Sequence, residues 1–209
     1  MIYPKSKEEV VQEFRIQSLQ EATMRVIARK GIAGATMQDI ADEAGVAKGT
    51  IYLYFRDRDE LVEKTFENAI TELHRRVDLA LDTDAPLEQR LRDSLRQAID
   101  FFRDNGQFFR LYIAQRFPEG TPQQQAKQKR HCDQYKSRML KLAAVFEEAM
   151  NRGEIRRVDP YRLALFFAEG TNAIIVERVM EQDPPPADAD VELIVSSILN
   201  GVRIQRSDI

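Results

Sequence analysis

A chain of 209 residues, 43% apolar and 31% charged, has the composition of an ordinary soluble protein and room for one large domain or two small ones. Its single cysteine, Cys132, excludes an intrachain disulfide, and its longest uninterrupted apolar run, 163–168, is far too short to cross a bilayer. The formal net charge of −3 argues against a general affinity for polyanions, and residues 1–64 hold ten Lys/Arg against eleven Asp/Glu.

The opening stretch MIYPKSKEEVVQEF lacks the apolar segment of a signal peptide, so a cytoplasmic protein with no membrane partner is expected. Apolar residues recur at helical spacing throughout, with no hairpin signal and no useful period-two alternation. Helices are expected at 7–30, 37–44, 48–54, 58–81, 86–104, 107–117, 122–151, 160–181 and 190–205. Their starts are marked by Ser6 with Glu9, Thr36 with Asp39, Asp57 with Glu60 and Thr121 with Gln124, each a capping residue three before an acid or amide. Asp159-Pro160 adds a cap followed by proline at the first helical position. Gly31–Gly34, Gly106, Pro118–Gly120, Gly153 and Pro184–Pro186 punctuate the connections.

The most informative segment is 36–55, TMQDIADEAGVAKGTIYLYF. Met37, Ile40, Ala41 and Ala44 form one apolar stripe on a short helix, and Gly45 follows where a helix ends by entering the left-handed region. Ile51 and Phe55 bury the inner face of a second helix. That leaves Lys48, Gly49, Thr50, Tyr52 and Tyr54 outward or on its flanks, a surface suited to phosphates and base edges. Asp39, Asp42 and Glu43 occupy positions that can face away from a duplex.

The spacing of Thr36, Ile40, Ala41, Ala44, Gly45, Val46, Gly49, Tyr52, Tyr54 and Phe55, followed by Arg58 and Leu61, resembles the DNA-binding domain of the TetR family of bacterial transcriptional regulators over about residues 15–66. Ala47 stands where that family often has a capping Ser or Thr, and Arg58 where it commonly has Lys. The resemblance implies an all-α fold: a three-helix helix-turn-helix domain, 1–57, and a larger helical effector-binding and dimerisation domain, 58–209. It also implies contact with double-stranded operator DNA through Thr36, Lys48, Gly49, Thr50, Tyr52, Tyr54 and Arg58. Thr36 has the alternative of being only a helix cap, and Tyr54 of packing on the first helix. A domain so weakly charged binds non-specific DNA poorly and leans on dimerisation.

The C-terminal helices suit a homodimer. Val191, Ile194, Val195, Ile198, Leu199 and Val202 make one face of 190–205, with Ser197 and Gly201 as a small strip. Helix 160–181 is apolar nearly all round and must be covered on more than one side. The expected interface is Phe167, Ile174, Ile175, Val191, Ile194, Val195, Ile198, Gly201 and Val202. By resemblance, two helices from each subunit form it, and the operator is palindromic. The middle helices bring Phe101, Phe102, Phe108, Phe109, Tyr112, Phe117, Tyr135, Met139 and Phe146 toward one interior. Gln115, Arg116, His131, Glu169 and Asn172 lie on or beside its apolar faces. Phe109, Tyr112, Arg116, Tyr135 and Asn172 are the candidate pocket for a small-molecule effector that shifts helix 58–81 and, as is usual in the family, relieves repression. A constitutive or architectural DNA binder without effector is the alternative. No cofactor, metal or catalytic residue is expected: His74 and His131 are the only histidines, and adjacent His131 and Cys132 splay apart on a helix.

Overall fold

The computed structural model describes residues 6–106, 108, 122–181 and 184–202, with side chains for all of these except 122–131. Eight helices are defined among them: α1 (Lys7–Gly34), α2 (Met37–Ala44), α3 (Lys48–Ile51), α4 (Arg58–Leu81), α5 (Leu87–Asp104), α6 (Pro122–Asn151), α7 (Pro160–Met180) and α8 (Ala187–Val202). No strand occurs among the described residues, and no helix among them is long and apolar enough to cross a membrane. The fold is all-α, as the periodicity indicates. The expected helix at 107–117 and the cap at Thr121 lie outside the described residues, as do 203–205 at the end of the last expected helix.

Most boundaries follow local signals. Ser6 and Glu9 form a reciprocal capping box on α1, and Asp159 accepts from the backbone N–H groups of Tyr161 and Arg162 at the start of α7. Asp57 accepts from the Glu60 N–H at 2.8 Å, but the Glu60 carboxylate turns instead to Arg56. Gly31, at φ 71°, kinks α1 close to its expected end. α3 stops earlier than expected, at Ile51. Residues 52–54 continue as turns, closed by the Tyr54 and Phe55 N–H groups on the Ile51 carbonyl, both at 3.0 Å.

The chain divides into two compact units after Thr71, inside α4, rather than after residue 57. The reason is packing: Leu61, Val62, Thr65, Phe66 and Ala69 on the first half of α4 are buried, and the Gln20 side-chain amide donates to the Lys64 carbonyl. In the first unit these residues join Leu19, Ala22, Val26 and Ile27 of α1 with Met37, Ile40 and Ala41 of α2 and Ile51 of α3. In the second unit, α6 packs on α7, and α5 on α6, α7 and α8. Its core contains Leu91, Leu95 and Phe102 of α5, Met139 and Phe146 of α6, Phe167 and Ile175 of α7, and Val191 and Val195 of α8. The Phe146 and Phe167 rings meet edge-to-face at 6.4 Å. Arg90, 5% exposed, donates to the Leu81 carbonyl at 2.7 Å and to Glu148 at 2.8 Å, satisfying a buried guanidinium at the end of α4.

In the same unit, Asp78 of α4 accepts from Arg138 and Lys141 of α6, each at 3.3 Å. His74, one turn earlier and half-buried, is held down to about 3. Burial is the main cause and the Arg138 charge the next, against the opposing pull of Asp78. This folded value lies below the ordinary 6.5, so on acidification the unfolded chain takes up the proton first. Stability is therefore full above pH ~6.5 and falls toward pH ~3, by about 1 kcal/mol per pH unit from this group. Urea unfolding of the second unit at pH 7 and pH 5 checks this, and His74→Gln should flatten the difference.

Candidate nucleic-acid interface

Two of the three acids of α2, Asp39 and Glu43, pair with cations of α1. Glu43 accepts from Arg25 and Arg29, which hold its carboxyl below the usual range, and Asp39 accepts from Lys30 at 2.7 Å. Lys30, with Thr36, lowers Asp39 to about 2. These pairs clamp α2 onto α1, and they also neutralise cations that would otherwise be available to phosphates.

Thr36 belongs to that clamp. Its hydroxyl accepts from the Asp39 N–H and donates to Asp39 Oδ2 at 2.8 Å, while its own N–H donates to the same oxygen at 3.2 Å. The groups expected to meet a phosphate are thus engaged by a carboxylate, the arrangement of a capping box. Gly45 closes α2 in the left-handed region at φ 67°, its N–H reaching the Ala41 and Asp42 carbonyls. Val46 is half-buried, and α3 starts at Ala47 with no side-chain cap.

α3 then buries one side and opens the other. Ile51 is fully buried and Phe55 5% exposed. Lys48 and Gly49 are exposed, Tyr52 is 49% exposed, and Thr50 and Tyr54 are half-buried. The Lys48 ammonium meets no carboxylate among the described residues. A Cβ placed on Gly49 would touch nothing within 4 Å, and its φ is not positive. Neither space nor backbone within the chain asks for glycine there, although glycine weakens a helix.

The Arg58 guanidinium, at the start of α4, is engaged within the chain. Its Nε donates to the Ala35 carbonyl at 2.6 Å, Nη2 donates to the Ile32 carbonyl, and Nη1 pairs with Asp59. The guanidinium ties the first residue of α4 to the elbow between α1 and α2, instead of standing free for a phosphate.

This arrangement has clear relatives. The family model for bacterial regulatory proteins, tetR family, matches residues 19–65, the span from the buried face of α1 to the first half of α4. The chain is 23% identical over 170 residues, 81% of its length and 86% of the relative's, to the HTH-type transcriptional regulator YhgD of Bacillus subtilis. Residues 19–65 are a TetR-family DNA-binding domain.

The other comparisons agree with a TetR regulator. An HTH-type transcriptional regulator of Haemophilus influenzae is 33% identical over 84 residues, 40% of this chain and 45% of that one. The solved structure of a fatty acid degradation regulator, FadR from Bacillus halodurans, superposes with a TM-score of 0.68 at 19% identity, covering 90% of this chain and 99% of its own. The last likeness concerns the fold. Together the family match and the named relatives make the chain a DNA-binding transcriptional regulator.

Within the TetR domain, Lys48, Gly49, Thr50, Tyr52 and Tyr54 lie on one short segment, while Thr36 and Arg58 serve the scaffold beneath it. Leu53, between the two tyrosines, is 78% exposed.

The interface and pocket candidates differ in burial. Of the nine interface candidates, Phe167, Ile175, Val191, Val195, Ile198 and Val202 are buried in the core of the second unit. Ile174 and Ile194 are half-buried, and Gly201 is exposed. The apolar positions left open on these helices are instead Phe166 at 66%, Met180 at 80% and Leu193 at 57% exposed. Among the pocket candidates, Phe109, Tyr112 and Arg116 lie outside the described residues, as do Gln115, Phe117 and the His131 side chain. Tyr135 donates to Glu169 at 2.6 Å in an exposed contact between α6 and α7, and Asn172 is half-buried on α7.

Proposed function

We propose that this TetR regulator is a cytoplasmic homodimeric repressor, seated on a palindromic operator by α3 and the turn after it and released by a small molecule bound in the second unit. The observation that carries the DNA-contact assignment is the open face of Lys48, Gly49 and Tyr52, with Thr50 and Tyr54 at its flanks. It combines an unpaired cation, a tyrosine hydroxyl and a bare stretch of backbone, the groups that meet phosphates and base edges. Thr36 and Arg58 act from beneath, holding α2 and the α1–α2 elbow in place.

Support for the dimer comes from the face that the core leaves open. Phe166, Ala173 and Met180 recur at seven-residue spacing on α7, and Leu193, Ser197 and Gly201 at four-residue spacing on α8. Small residues there allow close approach of a second copy, and Phe166 and Leu193 supply the apolar anchors. A two-fold dimer places its half-sites about 34 Å apart or at a multiple of that turn. An effector releases DNA only by binding the DNA-incompetent arrangement more tightly.

The test is selection of duplexes from a random pool by the full-length protein, followed by gel-shift titration of variants. Lys48→Ala and Tyr52→Ala should each weaken binding to the selected duplex by about 1–3 kcal/mol without changing helix content. Unaltered affinity in both variants would remove these residues from the interface.

A further inference from the structure

We infer that Leu53 is a specificity-determining residue, which reads the C5-methyl group of a thymine in the major groove. This rests on the DNA-contact assignment above and adds to it a single base-reading contact. A lone exposed leucine is ordinary on a protein surface. This one is not placed at random. The Leu53 N–H bonds to the Thr50 carbonyl at 3.3 Å and the Phe55 N–H to the Ile51 carbonyl at 3.0 Å, so the turn stays wound tightly on the end of α3. Gly49, Tyr52 and Leu53 are all exposed there, while Ile51 and Phe55 are buried.

The chemistry of that face divides in two. Lys48 and Tyr52 offer a charge and a hydroxyl, which suit phosphate oxygens and polar base edges. Leu53 offers neither donor nor acceptor, and 78% of its surface is open. Gly49, with nothing near the place of its missing Cβ, lets DNA approach the same face closely. In the major groove the apolar feature of the four base pairs is the thymine methyl group. A leucine brought to the groove floor gains free energy at a thymine and none at a cytosine or an unmethylated uracil.

The experiment uses the full-length protein and the duplex recovered by selection from a random pool. Each thymine of a half-site is replaced in turn by deoxyuridine, which deletes the methyl group and leaves the base pairing intact. At one thymine per half-site the wild-type protein should lose affinity about fourfold, the value of one buried methyl group. Leu53→Ala should bind the thymine and uracil duplexes equally at that position, keeping the salt dependence of the wild type, while Leu53→Met retains the discrimination. Equal thymine-to-uracil ratios in wild type and Leu53→Ala at every position would overturn the inference and leave the DNA-contact assignment standing. Failure to recover any preferred duplex would overturn both.

Discussion

Phe166→Glu, alone or with Leu193→Glu, should convert the proposed dimer to monomers and lower operator affinity by a factor on the order of 10²–10⁴, the advantage lost when two half-sites are no longer engaged together. Phe166 is 66% exposed and Leu193 57%, so neither substitution disturbs the chain's own core. At the centre of an interface, however, a carboxylate must shed its water without a partner, a cost of several kcal/mol. Glu169 and Glu177, exposed on the same helix, add repulsion. Sedimentation velocity at micromolar concentration reads the association, and gel shift reads the binding. Neighbouring Phe167 is the control. It is 5% exposed against Phe146, and Phe167→Ala should instead destabilise the second unit by about 3–5 kcal/mol. A Phe166→Glu, Leu193→Glu protein that sediments as the wild type does would place the interface elsewhere.

Arg58→Ala should destabilise the first unit by about 2–4 kcal/mol. It removes the donors to the Ile32 and Ala35 carbonyls, and hydrogen bonds to a charged group are each worth about 1.5–3 kcal/mol before relaxation. The pair with Asp59, which is 88% exposed, contributes little. Arg58→Lys should recover only part of the loss, because an ammonium lacks the planar fork that spans both carbonyls. Thermal melts followed by a probe in the first unit measure the effect. DNA affinity should fall with stability, since the elbow positions α2 and, through it, α3. Unchanged melting together with weaker binding and a shallower salt dependence would make Arg58 a direct phosphate contact.

Those two residues mark where the sequence is legible. Thr36, Asp39 and Gly45 could be read because caps and left-handed glycines act within a few residues, and the bounds of α2 and α4 follow from such signals. The partners of Arg58 lie 23 and 26 residues away. Periodicity says that such a side chain sits near a surface and not which carbonyl it meets. The acids Glu43 and Asp39 pose the same problem, since their cations are on another helix. On α7 the difficulty is different. Apolar residues surround the helix, so no pattern distinguishes Phe166 from Phe167. The fold decides by burying Ala164, Phe167, Thr171 and Ile175 and leaving Phe166, Ala173 and Met180 open. The first compact unit runs past 57 because Leu61 and Phe66 serve its core, although their helix continues beyond it.

In the proposed DNA contact the face around Gly49 serves a partner outside the chain, and Gly49→Ala separates that role from folding. With open space at the Cβ position and no positive φ, alanine should stabilise the isolated protein by about 0.5–1 kcal/mol. The same methyl group meets the approaching sugar-phosphate strand and should weaken binding to the selected duplex at least about tenfold, a loss within the 1–3 kcal/mol of a specific contact. The two measurements, melting temperature and gel-shift affinity on one protein, should move in opposite directions. A variant that melts higher and binds DNA as tightly as the wild type would take the Gly49 face out of the DNA contact.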